Sequence, residues 1–137
     1  IVMNEKKYTS VGEVMSRGVH TISGMATVAD AVKEMRDHHV SSLVVERRGE
    51  HDEYGLLEVY DIAKKVVATD RSPSRTNVYE IMSKPVMSLA ADMDIRYAVR
   101  LLVRFRLTRA LVIDASRTPV GLATLRDMAL CQIETND

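Results

Sequence analysis

The sequence predicts an α+β fold built from two copies of a β-α-β-β-α unit. Residues 11–16 (VGEVMS) match residues 78–83 (VYEIMS) at an offset of 67, and the same offset relates the apolar runs that begin at Leu43 and Ala110. The offset is 66 from Gly55 to Gly121, which indicates that the second copy has lost one residue in its hairpin. Copies of roughly sixty residues are marginal alone, so we expect them to pack on one another about a pseudo-twofold axis.

Composition is that of an ordinary globular domain and excludes several classes of protein. Nineteen basic and nineteen acidic residues cancel, so no overall charge favours nucleic acid or an anionic membrane. No apolar run is long enough to span a bilayer, and residues 1–10 lack the apolar core of a signal peptide. The lone Cys131 excludes an internal disulfide and predicts a reducing, cytoplasmic location.

Each copy is predicted to open with a short helical turn and an extended piece. Ser10 with Glu13, and Asn77 with Glu80, have the spacing of capping boxes, in which side chains satisfy the first amides of a helix. Extended pieces follow at 19–22 and 86–89.

A longer amphipathic helix is predicted next in each copy. In the first copy it begins at Thr27, has Asp30 at its third position and runs to about residue 37. In the second copy Asp94 is the predicted cap. Helical spacing then predicts two buried stripes, formed by Val28, Ala31, Val32 and Met35 and by Ile95, Ala98, Val99, Leu102 and Phe105.

The remainder of each copy is predicted as a hairpin followed by a helix. Buried strands are predicted at 42–46 and 110–114. The polar turns at 47–53 and 115–119 lead to a second strand, which ends at a tight turn containing Gly55 or Gly121.

The last helix of each copy is predicted near 58–69 and 124–133, and the polar, proline-containing segment 70–77 is the predicted linker. The predicted repeats are therefore 8–69 and 78–134.

Tandem β-α-β-β-α copies that open with h-x-x-h-M-S and close with G-h-x-T-x-x-D (h, apolar) resemble a pair of CBS domains, also called a Bateman module. The resemblance covers residues 8–134. It implies a regulatory module, without catalysis or a required cofactor, that binds AMP, ADP, ATP or S-adenosylmethionine in clefts between the two halves. It also implies a homodimer formed through helix faces.

The resemblance implies a first cleft around Asp127. This carboxylate would accept hydrogen bonds from the ribose diol, and Thr124 with the start of the last helix would bind phosphate. Arg109 and, more weakly, Arg126 and Lys84 would be phosphate partners. The adenine pocket would come from the other half, through the loop 16–20 and a strand start, and would be formed by Arg17, Gly18, Val19, His20, Val40, Ser41 and Ser42.

A second, weaker cleft is implied around Asp61. It would use 83–86 and 107–109, including Lys84, Pro85, Val86 and Thr108. This copy departs from the family pattern, because Glu58 stands where the other copy has Thr124. A carboxylate facing a phosphate in a poorly solvated cleft costs up to a few kcal/mol. We therefore expect this cleft to be empty, or to take a ligand that has no phosphate at that point.

Two readings of the chain stay open. Thr124 and Asp127 also have the spacing of an ordinary capping box, which requires no ligand. The chain could therefore be a ligand-free homodimer that acts through protein interactions. Because the adenine-facing groups are largely backbone, the sequence does not select one adenosine compound, and it does not identify the regulated protein.

The other conspicuous residues are assigned structural roles. Arg96, Arg100 and Arg104 form a stripe expected to be a solvated helix face, and nucleic-acid binding is not expected. His38 and His39 at a helix end are favoured by the helix dipole, and no metal site is predicted. Methionines, including Met15 and Met82, are expected to fill the interface between the halves, and Cys131 is expected to be a buried apolar residue.

Overall fold

The computed structural model describes residues 7–136. The helices are α1 (Val11–Val14), α2 (Val28–His38), α3 (Val59–Ile62), α4 (Ile95–Arg104) and α5 (Leu125–Asn136). The strands are β1 (Ser16–Arg17), β2 (Thr21–Ile22), β3 (Ser42–Val45), β4 (Gly55–Glu58), β5 (Ser88–Ala90), β6 (Arg109–Ile113) and β7 (Pro119–Thr124). Both copies therefore have the predicted β-α-β-β-α order. The prediction that no signal peptide is present falls mostly on residues 1–6, outside the described part of the chain.

The chain folds as two compact units. Of the described residues, unit 1 contains 7–19 and 87–136, and unit 2 contains His20–Val86. Unit 1 has a four-stranded sheet of order β1-β7-β6-β5, and unit 2 has a three-stranded sheet of order β2-β3-β4. In each sheet the antiparallel hairpin (β3–β4 or β6–β7) has a parallel strand on one side, β2 or β5.

The two units exchange the opening segments of the two sequence repeats. β1 pairs with β7, with Ser16 opposite Leu122, and at the equivalent place Ser83 forms an isolated bridge with Leu56. Val11 lies in the core of unit 1, whereas Val78 and Ile81 lie in the core of unit 2. The compact units and the predicted repeats 8–69 and 78–134 therefore divide the chain differently.

The predicted caps form. The Glu13 carboxylate accepts from the backbone amide of Ser10 (2.6 Å), and the Glu80 carboxylate accepts from the backbone amide of Asn77 (2.7 Å). The Thr27 hydroxyl accepts from the amide of Asp30 (3.1 Å), and Asp94 accepts from the amide of Arg96 (2.9 Å). These bonds satisfy amides that have no partner inside the helix.

The glycines of the closing motif do not lie in tight turns, which corrects the prediction. Gly121 lies within β7, and Gly55 is the first residue of β4. A Cβ atom on Gly121 would overlap the carbonyl oxygen of Ser16 and stand 2.7 Å from the sulfur of Met15. On Gly55 it would stand 2.9 Å from the sulfur of Met82. Both glycines are thus required where the exchanged opening segment lies against the sheet.

The predicted stripes pack on the two cores, with Val32 and Val99 only partly buried and one residue, Phe105, exposed. Ile95, Ala98 and Leu102 are fully buried, but Phe105 is 55% exposed. α4 ends at Arg104, and Phe105 is its C-cap with non-helical backbone angles, so the helical spacing no longer carries its ring to the core.

The helix predicted at 58–69 is shorter and less regular. Only Val59–Ile62 is α-helical, and a π-helical turn follows at Ala63–Val67, closed by a bond from the Ala68 amide to the Ala63 carbonyl (2.9 Å). Across this wider turn Ile62 and Val66 both reach the core of unit 2.

The segment predicted as a linker, 70–77, packs on unit 2. Thr76 is 2% exposed, and its carbonyl accepts from the amide of Val28 (2.8 Å). A 3₁₀ turn at Pro73–Arg75 precedes it. This segment is therefore an ordered part of the unit.

Candidate functional site

The turn from β7 into α5 presents the first predicted site. The Leu125 amide donates to the Thr108 carbonyl (2.8 Å), and the Asp127 amide donates to the Thr124 hydroxyl (3.1 Å). Thr124 is therefore the side-chain cap of α5. The Asp127 carboxylate projects from the first turn of α5, with 44% of its side chain exposed, and lies 3.5 Å from Nη1 of Arg126.

An open depression of about 470 Å³ lies beside this turn, and we call it the Asp127 depression. The strand register places Arg109 directly opposite Thr124. The structure thus brings five predicted residues together in unit 1, since the depression is lined by Thr108, Arg109, Thr124, Arg126 and Asp127, together with Leu125 and Ala129. Thr108 was predicted for the Asp61 cleft, and within unit 1 it lines the Asp127 depression.

The predicted adenine loop begins in the same unit as Asp127. Arg17 lies opposite Gly121, and the Gly18 amide donates to the Val120 carbonyl (2.9 Å). Three residues of β7, about 10 Å at the usual rise per residue, separate Gly121 from Thr124. Within unit 1, Arg17 and Gly18 therefore lie along β7, away from its Thr124 end. Val19 ends the same segment, so this part of the loop does not come from the other compact unit.

The remaining predicted adenine-pocket residues lie in unit 2. The Ser41 carbonyl accepts from the Val59 amide (3.1 Å), and Ser42 lies opposite Glu58. The amide of Val40 donates to the Met35 carbonyl at the end of α2 (3.0 Å). The His20 ring stacks on His38, with centroids 4.2 Å apart. In their own unit, Ser41 and Ser42 thus adjoin the turn that carries Asp61.

Asp61 is buried, with 9% of its surface exposed, and its carboxylate caps its own helix. Oδ2 of Asp61 accepts from the backbone amide of Glu58 (2.9 Å). This position is less available to a ligand than Asp127 is.

Lys84, Pro85 and Val86 follow the Ser83 bridge and run beside the start of β4. The Val86 amide donates to the Tyr54 carbonyl (3.0 Å). Lys84 Nζ lies 2.6 Å from Oδ1 of Asp52, and this bond is the main reason that the pKa of Asp52 is well below its usual range. These residues therefore lie at the Gly55 end of β4, whereas Asp61 follows its other end.

Sequence reasoning missed a cavity within unit 2 of about 690 Å³, which lies at the ends of β2 and β3. Its lining includes Arg47, Tyr79 and Met82. Alignment of the two repeats could have indicated this cavity. The 67-residue offset pairs Tyr79 with Gly12 and Met25 with Asp92, and in each pair the two residues differ strongly in size or polarity.

Within residues 7–136, no group of three or more His, Cys, Asp or Glu side chains is placed to hold a metal ion. No helix in this range has the combination of length and hydrophobicity that crossing a bilayer requires.

A family model of the CBS domain matches residues 11–68 and 78–133. The chain belongs to the CBS-domain family. The α+β fold predicted from the repeats is thus confirmed.

The chain is similar to two proteins whose names state no activity. The chain is 33% identical over 120 residues to the uncharacterized protein MK0525 of Methanopyrus kandleri, covering 87% of this chain and 60% of that protein. The chain thus spans about three-fifths of the length of that relative. It is also 30% identical over 125 residues to the CBS domain-containing protein YhcV of Bacillus subtilis, covering 91% of this chain and 86% of YhcV.

Solved structures extend the likeness. A hexameric CBS-CP12 protein from bloom-forming cyanobacteria matches with a TM-score of 0.90 and 36% identity, covering 96% of this chain and 74% of that one. The CBS domain of a bacterial CNNM/CorC family Mg²⁺ transporter in complex with ATP matches with a TM-score of 0.71 and 26% identity, covering 88% and 84%. The CBS pair of MJ0100, solved with 5'-methylthioadenosine and S-adenosyl-L-methionine, shares the fold (TM-score 0.77, 22% identity, covering 94% and 99%).

Proposed function

We propose that this chain is a non-enzymatic regulatory module that binds an adenosine-containing ligand through the Asp127 depression. The observation that carries the proposal is the half-exposed Asp127 carboxylate, which borders the depression with Thr108, Arg109, Thr124 and Arg126. We also propose a cytoplasmic location, which the single, half-buried Cys131 favours.

The groups around the depression have the chemistry of a nucleotide site. An ionised carboxylate can accept from both hydroxyls of a ribose diol, and Asp127 is exposed enough to do so. Arg126 is 80% exposed beside it and can contribute positive charge toward a phosphate. The first amides of α5 lie at the same place, where a helix favours an anion.

The equivalent turn of unit 2 is less suited to this ligand. Asp61 is buried and already accepts a backbone bond, and Glu58 replaces the threonine next to it. Two carboxylates at one turn repel a phosphate. We therefore propose that ligand binding in this chain depends on Asp127 and not on Asp61.

Related proteins support the ligand class. The CNNM/CorC CBS domain was solved with ATP, and the MJ0100 pair with S-adenosyl-L-methionine and 5'-methylthioadenosine. All three compounds contain adenosine. A regulatory role requires the ligand to bind one arrangement of the protein more tightly than another.

Isothermal titration calorimetry of the intact chain against AMP, ADP, ATP and S-adenosylmethionine tests the proposal. Asp127→Asn removes the charge and keeps the shape, and we expect it to weaken binding at least tenfold, about the effect of losing charge-assisted hydrogen bonds. Asp92→Asn is the matched control, because it removes an exposed carboxylate of unit 1 that does not line the depression.

The outcomes are distinct. Binding that is lost with Asp127→Asn and kept with Asp92→Asn supports the proposal. If all four compounds fail to bind, or if both variants bind as the unmodified chain does, Asp127 is only a residue of the helix terminus and the proposal is rejected.

A second candidate function is an interaction module that self-associates through helix faces. α4 and α5 of unit 1 carry large apolar side chains exposed to solvent, namely Tyr97 (53%), Val103 (59%), Leu130 (45%) and Ile133 (64%). Exposed apolar surface of this kind is typical of an interface. The hexameric CBS-CP12 relative shows that assembly occurs in similar proteins.

Light scattering coupled to size exclusion measures this association. If the α5 face is the interface, Ile133→Asp yields a monomer, whereas Val67→Asp, at an equally exposed position of unit 2, leaves the mass unchanged. A monomeric unmodified chain would reject this second function.

A further inference from the structure

We infer that unit 2 carries a separate binding site for a small organic anion with a flat apolar body, in the cavity at the ends of β2 and β3. We call this cavity of about 690 Å³ the Arg47 cavity. The cavity lies beside Val45 of β3, which pairs with Gly55 at the start of β4. The turn that bears Asp61 follows Glu58, at the other end of β4. The inference does not depend on ligand binding at Asp127.

The cavity has an apolar wall made from three parts of the chain. Met25 follows β2, Val45 ends β3, and Tyr79 and Met82 come from the opening segment of the second repeat. A bond from the Tyr79 amide to the Gly24 carbonyl (3.0 Å) fixes that segment against the end of β2. Met25 is 68% exposed and Tyr79 is 52% exposed, so both present apolar surface to an incoming ligand.

The rim of the cavity is positively charged. Arg47, Arg48 and Lys84 line it, and Glu46 is the single acidic residue of the lining. Lys84 Nζ lies 2.6 Å from Oδ1 of Asp52, so the carboxylate of Asp52 balances the charge of this ammonium group.

The two guanidinium groups are differently placed. Arg47 lies over the ring of Tyr54, 5.3 Å from its centroid, and Arg48 is 86% exposed, with only a long contact to Asp52 (3.8 Å). Among the lining residues, two guanidinium groups therefore outnumber the one carboxylate, that of Glu46. Guanidinium groups bind carboxylates and phosphates with paired hydrogen bonds, so the rim favours an anion.

Unit 1 shows that the fold itself does not require this cavity. At the equivalent positions, set by the 67-residue offset, Asp92 replaces Met25, Asp114 replaces Arg47 and Ala115 replaces Arg48. Gly12 replaces Tyr79, and its amide donates to Ala91 (2.8 Å) so closely that an added Cβ would stand 3.1 Å from that carbonyl oxygen. Unit 2 has the equivalent bond, from the Tyr79 amide to the Gly24 carbonyl (3.0 Å), and there carries a tyrosine side chain. The same place is thus acidic and without a side chain at Gly12 in unit 1, whereas in unit 2 it is basic and has an aromatic wall.

The ligand class follows from this combination. A thioether and an aromatic ring, Met25 and Tyr79, form favourable contacts with a flat apolar group. The volume lies within the range of small-molecule sites. The ligand would place its ring against these side chains and its carboxylate or phosphate between Arg47 and Arg48.

Nitrogen-15 amide NMR titration of the intact chain tests the inference with three probes that share one ring. These are 1-naphthoate, 1-naphthyl phosphate and the neutral 1-naphthalenemethanol. We expect both anions to cause saturable shifts at 23–25, 46–48 and 79–84, and the neutral compound to bind at least tenfold more weakly. The anion that binds more tightly identifies the acidic group.

Variants supply the matched controls. Met25→Asp imports the residue of unit 1 at an exposed position, and Arg47→Gln removes one guanidinium charge; each is expected to weaken naphthoate binding about tenfold. Arg117→Gln removes an exposed arginine from the hairpin of unit 1 and is expected to have no effect.

The inference is overturned if the shifts map outside the cavity or do not saturate. It is also overturned if the neutral compound binds as well as the anions, or if Arg117→Gln weakens binding as much as Arg47→Gln does. Mapping on the unmodified chain keeps the test valid even if a variant fails to fold.

Discussion

Asp127 of unit 1 and Asp61 of unit 2 occupy the same place in the two repeats but are used differently. The Asp127 side chain is 44% exposed, and its neighbour Thr124 caps the helix through a hydroxyl. Asp61 is only 9% exposed and itself provides the cap, by accepting from the Glu58 amide. The Glu58 side chain also accepts from the Asp61 amide, so the residue before the helix acts as a cap in both units, and in unit 2 the aspartate accepts a backbone bond as well.

The residues opposite these turns reinforce the contrast. Arg109 lies opposite Thr124 in β6, whereas Ser42 lies opposite Glu58 in β3. One turn therefore combines a guanidinium, a hydroxyl and a carboxylate, and the other combines a hydroxyl with two carboxylates. Duplicated units can thus keep one backbone and diverge in charge, which gives each a different chemistry.

The largest effect on stability is expected from substituting Gly55 and Gly121. These substitutions test whether the opening segment lies equally close to the sheet in both units. Gly121→Ala forces a Cβ onto the backbone oxygen of Ser16, which cannot move away, and should cost about 3 kcal/mol of unfolding free energy. Gly55→Ala meets first the flexible side chain of Met82 and should cost about 1 kcal/mol. Urea unfolding monitored by circular dichroism compares them. Equal costs would show that the two exchanges are equally close.

The two aspartates should separate stability from binding. Asp61→Ala removes a buried cap and is expected to lower stability by about 1–2 kcal/mol. Asp127→Ala removes a half-exposed carboxylate and is expected to cost about 0.5 kcal/mol, while abolishing nucleotide binding. Thermal melting of the two variants in parallel gives the ranking. A reversed order would mean that Asp127 is the structural residue and Asp61 the accessible one.

Acid should weaken both units through different carboxylates. Hydrogen bonding from Arg96 lowers the pKa of Asp94 in unit 1, and hydrogen bonding from Lys84 lowers that of Asp52 in unit 2. Because the folded pKa values lie below the ordinary value of 3.8, the unfolded chain binds more protons than the folded chain at pH values between the two. The stabilisation is therefore fully present above the ordinary pKa and is lost as the pH falls through the folded pKa values.

Melting temperatures from neutral to acidic pH measure this loss. Asp94→Asn, which keeps a capping residue, and Asp52→Asn should each flatten the acid limb of the curve. If neither does, these carboxylates do not carry the acid sensitivity.

The smallest effect is expected on the solvent faces of α4 and α2, where the repeats also differ. Arg100 lies over the ring of Tyr97 (5.2 Å from its centroid), and the equivalent Lys33 pairs with Asp37 (3.6 Å). Arg100→Ser and Lys33→Ser should each change stability by no more than about 0.5–1 kcal/mol, since exposed pairs contribute little. Differential scanning calorimetry detects such shifts. A loss of several kcal/mol at Arg100 would show that the arginine stripe is not a solvated face.

The sequence by itself determined the repeat, the order of elements and the caps. These depend on neighbours within a few residues, as in the bond between Asn77 and Glu80, or on periodicity, as in the buried positions Ile95, Ala98 and Leu102. The motif that ends in Asp127 was also correctly placed at the junction of a strand and a helix. Local chemistry leaves a local signature in the sequence.

Only the tertiary structure decided which segments pack together. The exchange that brings Ser16 to β7 and Ser83 to β4 pairs residues far apart in the chain, so the glycines at 121 and 55 looked like turn residues when they are points of close approach. The burial of Asp61, the exposure of Phe105 and the open Arg47 cavity have the same origin. Each depends on what lies opposite a residue in space, and neither propensity nor spacing along the chain contains that information.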